Sequence, residues 1–492
     1  MPTTSYKEII GLRYNLAPSQ LTILDIPNKN IKLAKDLLDR KLKFSDNGNE
    51  IGSINYISRS SHFFIRAKAL QPDYFLPILD SETAMPIRPQ VFTNFDLKEG
   101  DLIISKDSNI GEIVILDKDY PNYTISGALY KLPITKNKFY IFAFIKHNHF
   151  RKQLDLLVPK GSTIRHAKSL FLDCKIPFPN QKNAVNVIKY VELLTQAIIN
   201  KEKVIRRKNK MIFDFIEKEL LENQKEGDFK FVEPTFREIE QVKRLDTGMY
   251  NLQYKKTKHN ITNYKYGFSK LEALGYKITR GQNLQISNIG RSIYSDIPKS
   301  NFYKLILSKN FTEWMTVTKE GYLGNAKKLK TIQNGDIIFS CRGDLGRTII
   351  FCGDIENTIT NIDNVHIVNK QASLSSKIFI GCFLNYLRKI GFLSLISITG
   401  SGADSFTKYH FDLLDFPNFS EAKQKEISSL YHNPTEYAEN LNSDNFLEQD
   451  TKWNEKTGII ELDKSMKQMK EHLDTVLDKI VNDETILIDF CL

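Results

Sequence analysis

Two stretches of this chain, 235 residues apart, carry one pattern. Residues 99–116 read EGDLIISKDSNIGEIVIL and residues 334–351 read NGDIIFSCRGDLGRTIIF, so Gly100, Asp101, Ser105 and Gly111 align with Gly335, Asp336, Ser340 and Gly346. A second anchor follows in each half: KFYIFAFI (138–145) matches KIFIGCFL (377–384), and Gly161-Ser162 matches Gly400-Ser401, both at an offset of 239. A third pairs Lys168 and Pro177 with Lys408 and Pro417 at an offset of 240. Chance similarity does not keep three anchors in one order, so the chain is a duplication, and any fold proposed for it must be built twice. Its 492 residues leave room for two copies of ordinary domain size.

Within each copy, alternating apolar runs such as Leu102–Ser105 and Glu112–Leu116 predict strands joined by a glycine-containing turn. The segments KFYIFAFIKHNHF and KIFIGCFLNYLRKI predict a helix on the domain surface. Each copy ends in a longer helical pattern. After the first, Val187, Val191, Leu194, Ile198, Ile205, Ile212 and Phe215 form an apolar stripe interrupted by Lys201 and Lys208. That predicts a helix over about 182–222, ~60 Å long at 1.5 Å per residue. After the second, EAKQKEISSLY (421–431) has helical composition. A polar stretch at about 433–458 intervenes before Leu462, Met466, Met469, Leu473, Val476 and Ile480 resume a heptad. The expected fold class is α+β: two tandem globular domains, each followed by a long helix, the two helices pairing as an antiparallel coiled coil. The expected boundaries are 1–180, a helix over 181–228, 229–419, and a second helix over 420–492.

Charge narrows the partners. The chain carries +11 overall, placed as +7 over 1–180, +3 over 181–232, +9 over 233–420 and −8 over 421–492. Two basic segments of domain size suit a polyanion such as nucleic acid, and the acidic tail suits a protein-facing role. Five scattered cysteines without a C-x-x-C, and an opening without a signal-peptide profile, predict a reducing, cytoplasmic setting. Arg388 and Lys389 break the most apolar stretch, so no membrane span is expected.

Catalytic patterns are missing. There is no G-x-x-x-x-G-K-[ST], and GSGADS (400–405) lacks the third glycine of a dinucleotide loop. Asn433-Pro434-Thr435-Glu436-Tyr437 lacks the second proline of an amino-methyltransferase motif. His147-x-His149 has no accompanying ligand cluster and reads as helix surface. Asp73, Asp80 and Glu82 lack the closely following lysine of a metal-dependent nuclease. A binding subunit without a cofactor or metal of its own is the expectation.

The duplicated motif resembles the G-D-[IL]-[IL]-x-[ST]-x-x-G-x-[IL]-G signature of specificity subunits of type I restriction-modification enzymes. Arg244-Leu245-Asp246 followed by Tyr250 is similar to the opening of that family's target-recognition domain. The Gly-Ser anchors and the Ile176-Pro177 and Phe416-Pro417 endings are similar to its close, and EAKQKEI (421–427) to the start of its conserved helix. Departures are Arg13-Tyr14-Asn15 in place of the opening in the first copy, Gln181 without a preceding glutamate, and the 433–458 insertion. The resemblance implies a non-catalytic subunit whose two target-recognition domains each read half of a split double-stranded DNA site, with the helices as a ruler. It implies two N6-adenine methyltransferase subunits and restriction/motor subunits as partners. S-adenosylmethionine, ATP and magnesium would then belong to those partners. Alternatives are the specificity subunit of a two-part system cutting both sides of its site, a bifunctional restriction-methylation fragment, or a nucleic-acid-binding scaffold reused in antiviral defence.

The candidate DNA-binding residues are Ser105, Lys106, Ser340, Arg342 and Arg347 at the repeat signature, and Lys160, Ser162, Ser401 and Lys408 near the Gly-Ser anchor. Tyr264, Lys265, Tyr266 and Arg280, unique to the second copy, are equally plausible readers.

Overall fold

A computed structural model describes residues 24–158, 168–242, 244–245, 247–324, 328–353, 355–397 and 405–490. It is a mixed α+β structure that divides into two units. Unit 1 is Met1–Val204 with Glu436–Glu455 and Lys464–Leu492, and unit 2 is Ile205–Thr435 with Lys456–Asp463.

In unit 1 the repeat signature forms β4 (Leu102–Ser105), the centre of a sheet between β5 (Ile113–Ile115) and β7 (Leu129–Leu132). Both pairings are antiparallel, with Ile103 opposite Val114 and Lys131. A second sheet has β2 (Phe63–Ile65) between β3 (Ala84–Pro86) and β6 (Tyr123–Ile125), the last pair parallel. Ile65, Leu97, Ile103, Val114, Ile125 and Leu129 make one continuous core between these strands. Each such fully buried side chain contributes roughly 1.5–3 kcal/mol. A two-stranded pair, β1 (Ile31–Leu33) with β8 (Lys175–Pro177), ties the start of the domain to the hydrophobic-Pro ending. Helices α1 (Lys138–Lys146) and α2 (Asn148–Leu157) follow the sheets.

Unit 2 repeats this plan and adds an edge strand to each sheet. β14 (Ile337–Ser340) lies between β15 (Thr348–Ile350) and β17 (Asn364–Val368), and β10 (Lys277–Arg280) extends the β17 edge. The other sheet runs β11 (Ile293–Ser295), β13 (Gly321–Gly324), β12 (Tyr303–Ile306), β16 (Thr358–Thr360), with β12 and β16 parallel as in the first copy. β18 (Phe416–Pro417) pairs with β9 (Phe268–Ser269) as β8 does with β1. Helices α4 (Leu252–Thr262), α5 (Leu374–Lys389) and α6 (Lys408–Leu413) belong to this copy.

The glycines of the signature are fixed by backbone geometry. Gly111 and Gly346 have φ of +77° and +78°, and a Cβ on either would lie within 3 Å of Leu154 or Leu393. Asp101 and Asp336 each accept from the backbone N–H three residues before them, closing the turn that leads into β4 and β14.

The long helix is α3 (Ala184–Glu222), close to the predicted span. Six of its seven predicted stripe residues are buried, as is the whole Leu462–Ile480 heptad, which lies on α9 (Ile459–Val481). Tyr190 on α3 hydrogen-bonds His472 on α9 at 2.7 Å.

Three expectations are corrected. KFYIFAFI does not lie on the surface: Tyr140–Ile145 are all buried, because α1 is apolar on nearly every side. His147 is likewise buried, capping α2 through its ring nitrogen, and burial pulls its pKa down to about 4. The segment 420–492 is not one interrupted helix but three: α7 (Glu421–Tyr431), α8 (Phe446–Lys456) and α9. The 433–458 stretch therefore holds a helix of its own, whose Asp450 and Trp453 face Lys201. Lys201 does not merely interrupt the stripe: fully buried, its ammonium contacts Asp450 at 2.5 Å and Asn454 at 2.8 Å and lies 4.4 Å from the Trp453 ring centroid. Among the described residues, no helix is long and apolar enough to cross a membrane.

Candidate nucleic-acid interface

The two copies share a backbone frame beyond the signature strands. In the first, Gly48 N–H donates to the Leu129 carbonyl (3.0 Å) and Asn49 N–H to that of Ile125 (2.9 Å). In the second, Gly281 N–H donates to Asn364 and Gln282 N–H to Thr360, both at 2.9 Å. Each glycine is wedged against a carbonyl: a Cβ would lie 2.2 Å from the Ser126 oxygen at Gly48 and 2.1 Å from the Asn361 oxygen at Gly281. Glycine is required there because backbone crosses backbone.

On this shared frame the side chains differ. In unit 2, the residue before Gly281 is Arg280, paired across the sheet with Val365. Arg280 and Lys277 on β10 and Lys408 at the start of α6 line one cleft of about 650 Å3, with Lys270, Tyr276 and Thr279 beside them. Glu272 and Asp412 also line it. Lys270 is paired with Asp415 at 2.7 Å, whereas Lys277, Arg280 and Lys408 have no carboxylate within ion-pair distance among the described residues. Arg280 and Arg342 both lie close enough to Cys341 to oppose the burial that pushes its thiol up to about 12. The Arg342 side chain is 58% exposed, its guanidinium 3.9 Å from Asp363. Cations on an exposed edge strand, above an apolar floor of Phe406 and Phe411, can meet phosphate or base acceptors.

In unit 1, the residue before Gly48 is Asn47, bridged to Tyr130. Lys106 lies over the Tyr130 ring, 5.0 Å from its centroid, and Lys168 is exposed. The preceding turn carries exposed Lys41, Lys43 and Phe44. Each copy thus places cations near its glycine crossing, Lys106 in the first and Arg280 and Lys408 in the second.

The other sequence candidates divide differently. Ser105 and Ser340 are fully buried, and their hydroxyls donate to the Asp107 and Arg342 carbonyls at 2.7 and 2.9 Å, so they close the turn and cannot reach a ligand. Arg347 is held by the Phe311 carbonyl at 2.6 Å and by Glu313 at 3.3 Å, which makes it a brace. Tyr264 is 1% exposed and donates to Glu219 at 2.9 Å, so it is core. Lys265 and Tyr266 are exposed but do not line the cleft. Lys160, Ser162 and Ser401 lie outside the described residues, as do Arg13–Asn15 and Asp246. Arg244 does have a visible part: Tyr250 donates to its carbonyl at 2.6 Å, and its guanidinium holds the Ile396 carbonyl at 2.5 Å. Among the described residues, no cluster of three or more His, Cys, Asp or Glu could hold a metal ion.

No protein-family model matches the chain. No curated protein matches it either. Among solved structures it is similar to a type I restriction-modification system S subunit from M. genitalium, at 12% identity over 95% of this chain and 99% of that one, with a TM-score of 0.37. It is also similar to the HsdS subunit from Thermoanaerobacter tengcongensis, at 12% identity over 95% and 96% of the two chains, TM-score 0.26. A third, from work on complex assembly and conformational transition of the type I R-M system, has 11% identity over 93% and 99%, TM-score 0.29. Similarity this slight decides neither the fold nor the activity of this chain.

Sequence reading missed Gly48 and Gly281, and with them Asn47, Lys277 and the Phe44 turn. Their only shared letter is one glycine in GNE and GQN, at an offset of 233 that the stronger anchors do not share.

Proposed function

We propose that the chain is a non-catalytic, sequence-specific DNA-binding subunit in which each copy reads one half of a split duplex site. The observation that carries this reading is the shared frame with unlike side chains: Asn47, Lys106 and Phe44 in one copy, Arg280, Cys341 and Lys277 in the other. A duplicated scaffold kept for geometry and varied around that frame is what two different half-sites call for. The basic charge of both domain-sized segments supplies the salt-dependent attraction to phosphate.

In this reading α3 and α9 act as the ruler. A helix of 39 residues extends ~58 Å, ample for half-sites about one turn of DNA apart, ~34–36 Å. Tyr190 on α3 and His472 on α9 share a hydrogen bond at 2.7 Å, a contact between the two helices that this reading uses. Following the family resemblance, the subunit would deliver two N6-adenine methyltransferase subunits and restriction/motor subunits to the site, with S-adenosylmethionine, ATP and magnesium held by them.

Mapping N6-methyladenine across the host genome with and without this gene tests the reading. Loss of one split motif, two short half-sites at a fixed gap, is the expected result; an unchanged methylome contradicts it.

A further inference from the structure

Phe44 is 93% exposed. A lone exposed apolar residue is ordinary on a protein surface, but this one is held in place. It opens a short 3-10 turn, Phe44–Asp46, that the Arg40 guanidinium clamps through both Asp46 carboxylate oxygens at 2.6 and 2.7 Å. The Lys43 N–H adds a third bond to Asp46 at 2.7 Å, and Asn47 N–H closes on the Phe44 carbonyl at 3.1 Å. Two residues on, Gly48 lies against the Ser126 carbonyl, where a Cβ would be 2.2 Å from the oxygen. The ring is therefore presented with little left to order on binding. Around it stand exposed Lys41 and Lys43, and Lys106 lies on the ring of Tyr130, whose backbone bridges to Asn47. An apolar tip in a cationic setting fits a polyanion that also offers an apolar group.

We propose that Phe44 is a specificity-determining residue of the first copy, making apolar contact with the C5-methyl group of a thymine in the major groove. That methyl is the apolar group the major-groove edge presents, and phenylalanine is a residue type suited to it. Counting back the same four residues from its wedged glycine, the second copy has Lys277, on strand β10 rather than on a turn, and Arg280 beside the glycine, groups suited to guanine acceptors, so the two half-sites would be read by different chemistry. This inference rests on the DNA reading above.

The test incubates the full chain, wild type and Phe44→Ala, with random-sequence duplex DNA and sequences the bound fraction. The wild type is expected to enrich a thymine at one position of one half-site, and the variant to lose preference at that position alone. Replacing that thymine by deoxyuridine should weaken wild-type binding about tenfold and leave the variant indifferent, with the salt slope unchanged in both. If the variant enriches the same thymine at unchanged affinity, or weakens on every sequence alike, the role of Phe44 is overturned while the DNA reading stands. If the wild type enriches no duplex sequence, both fall.

Discussion

Gly48 and Gly281 show how much of the interface depends on single atoms. Each lets one strand cross another with its Cα hydrogen against a carbonyl, and each is followed by the residue whose N–H extends the frame. Gly281→Ala is expected to lower stability by about 1–3 kcal/mol, the usual cost of forcing an extra group into packed structure, and denaturant unfolding would measure it. Gly111→Ala should cost about 1–2 kcal/mol, because its φ of +77° is left-handed. The exposed cations make a different prediction. Lys408→Ala should reduce the salt dependence of duplex binding by about one phosphate contact, Arg280→Ala should relax the base preference at one position of the second half-site, and Ser340→Ala should act on stability and leave the salt slope intact. His366 offers a pH test. It is buried on β17 opposite Thr279, neither ring nitrogen has a hydrogen-bond partner among the described residues, and burial holds its pKa down to about 4. The unfolded chain protonates it near 6.5, so its neutral form stabilises the unit fully above that pH and the contribution is lost as pH falls towards 4. His366→Leu is expected to flatten the acid-side loss in a series of melts.

At the scale of elements, periodicity was a good guide where burial is one-sided and a poor one where it is not. The α3 stripe and the α9 heptad were legible because one face of each is apolar, and the strands of the signature because apolar runs bounded by glycine leave few other options. KFYIFAFI gave no face to read, so its burial as α1 was hidden. The α8 helix was hidden for the opposite reason: its composition is polar, and what holds it is the Lys201 ammonium among Asp450, Asn454 and the Trp453 ring. Tyr437 adds a hydrogen bond to Asp450 at 2.5 Å, and burial of that hydroxyl raises its pKa far above the usual tyrosine range. Lys201→Met is expected to destabilise unit 1 by about 3–5 kcal/mol by leaving Asp450 buried without its cation. Combining it with Asp450→Leu should recover a large part of that loss in a thermal melt.

For the whole molecule the duplication was the most informative feature, and it was legible because both copies spend the same few residues, glycine, aspartate and serine, on the same turn. The proposed readers were not legible because they are exposed, vary between copies and leave no mark on the repeat. Ser105 and Ser340 recur because they build the turn, while Phe44 and Lys277 diverge on one frame. At this scale the proposed function is two unlike copies reading one split site across a fixed span. The most direct test is the affinity of the full chain for duplexes carrying both half-sites with the gap lengthened or shortened by a single base pair. Tight binding at one gap and a sharp loss on either side is the expected result. Equal affinity at every gap, or full affinity for one half-site alone, would contradict it.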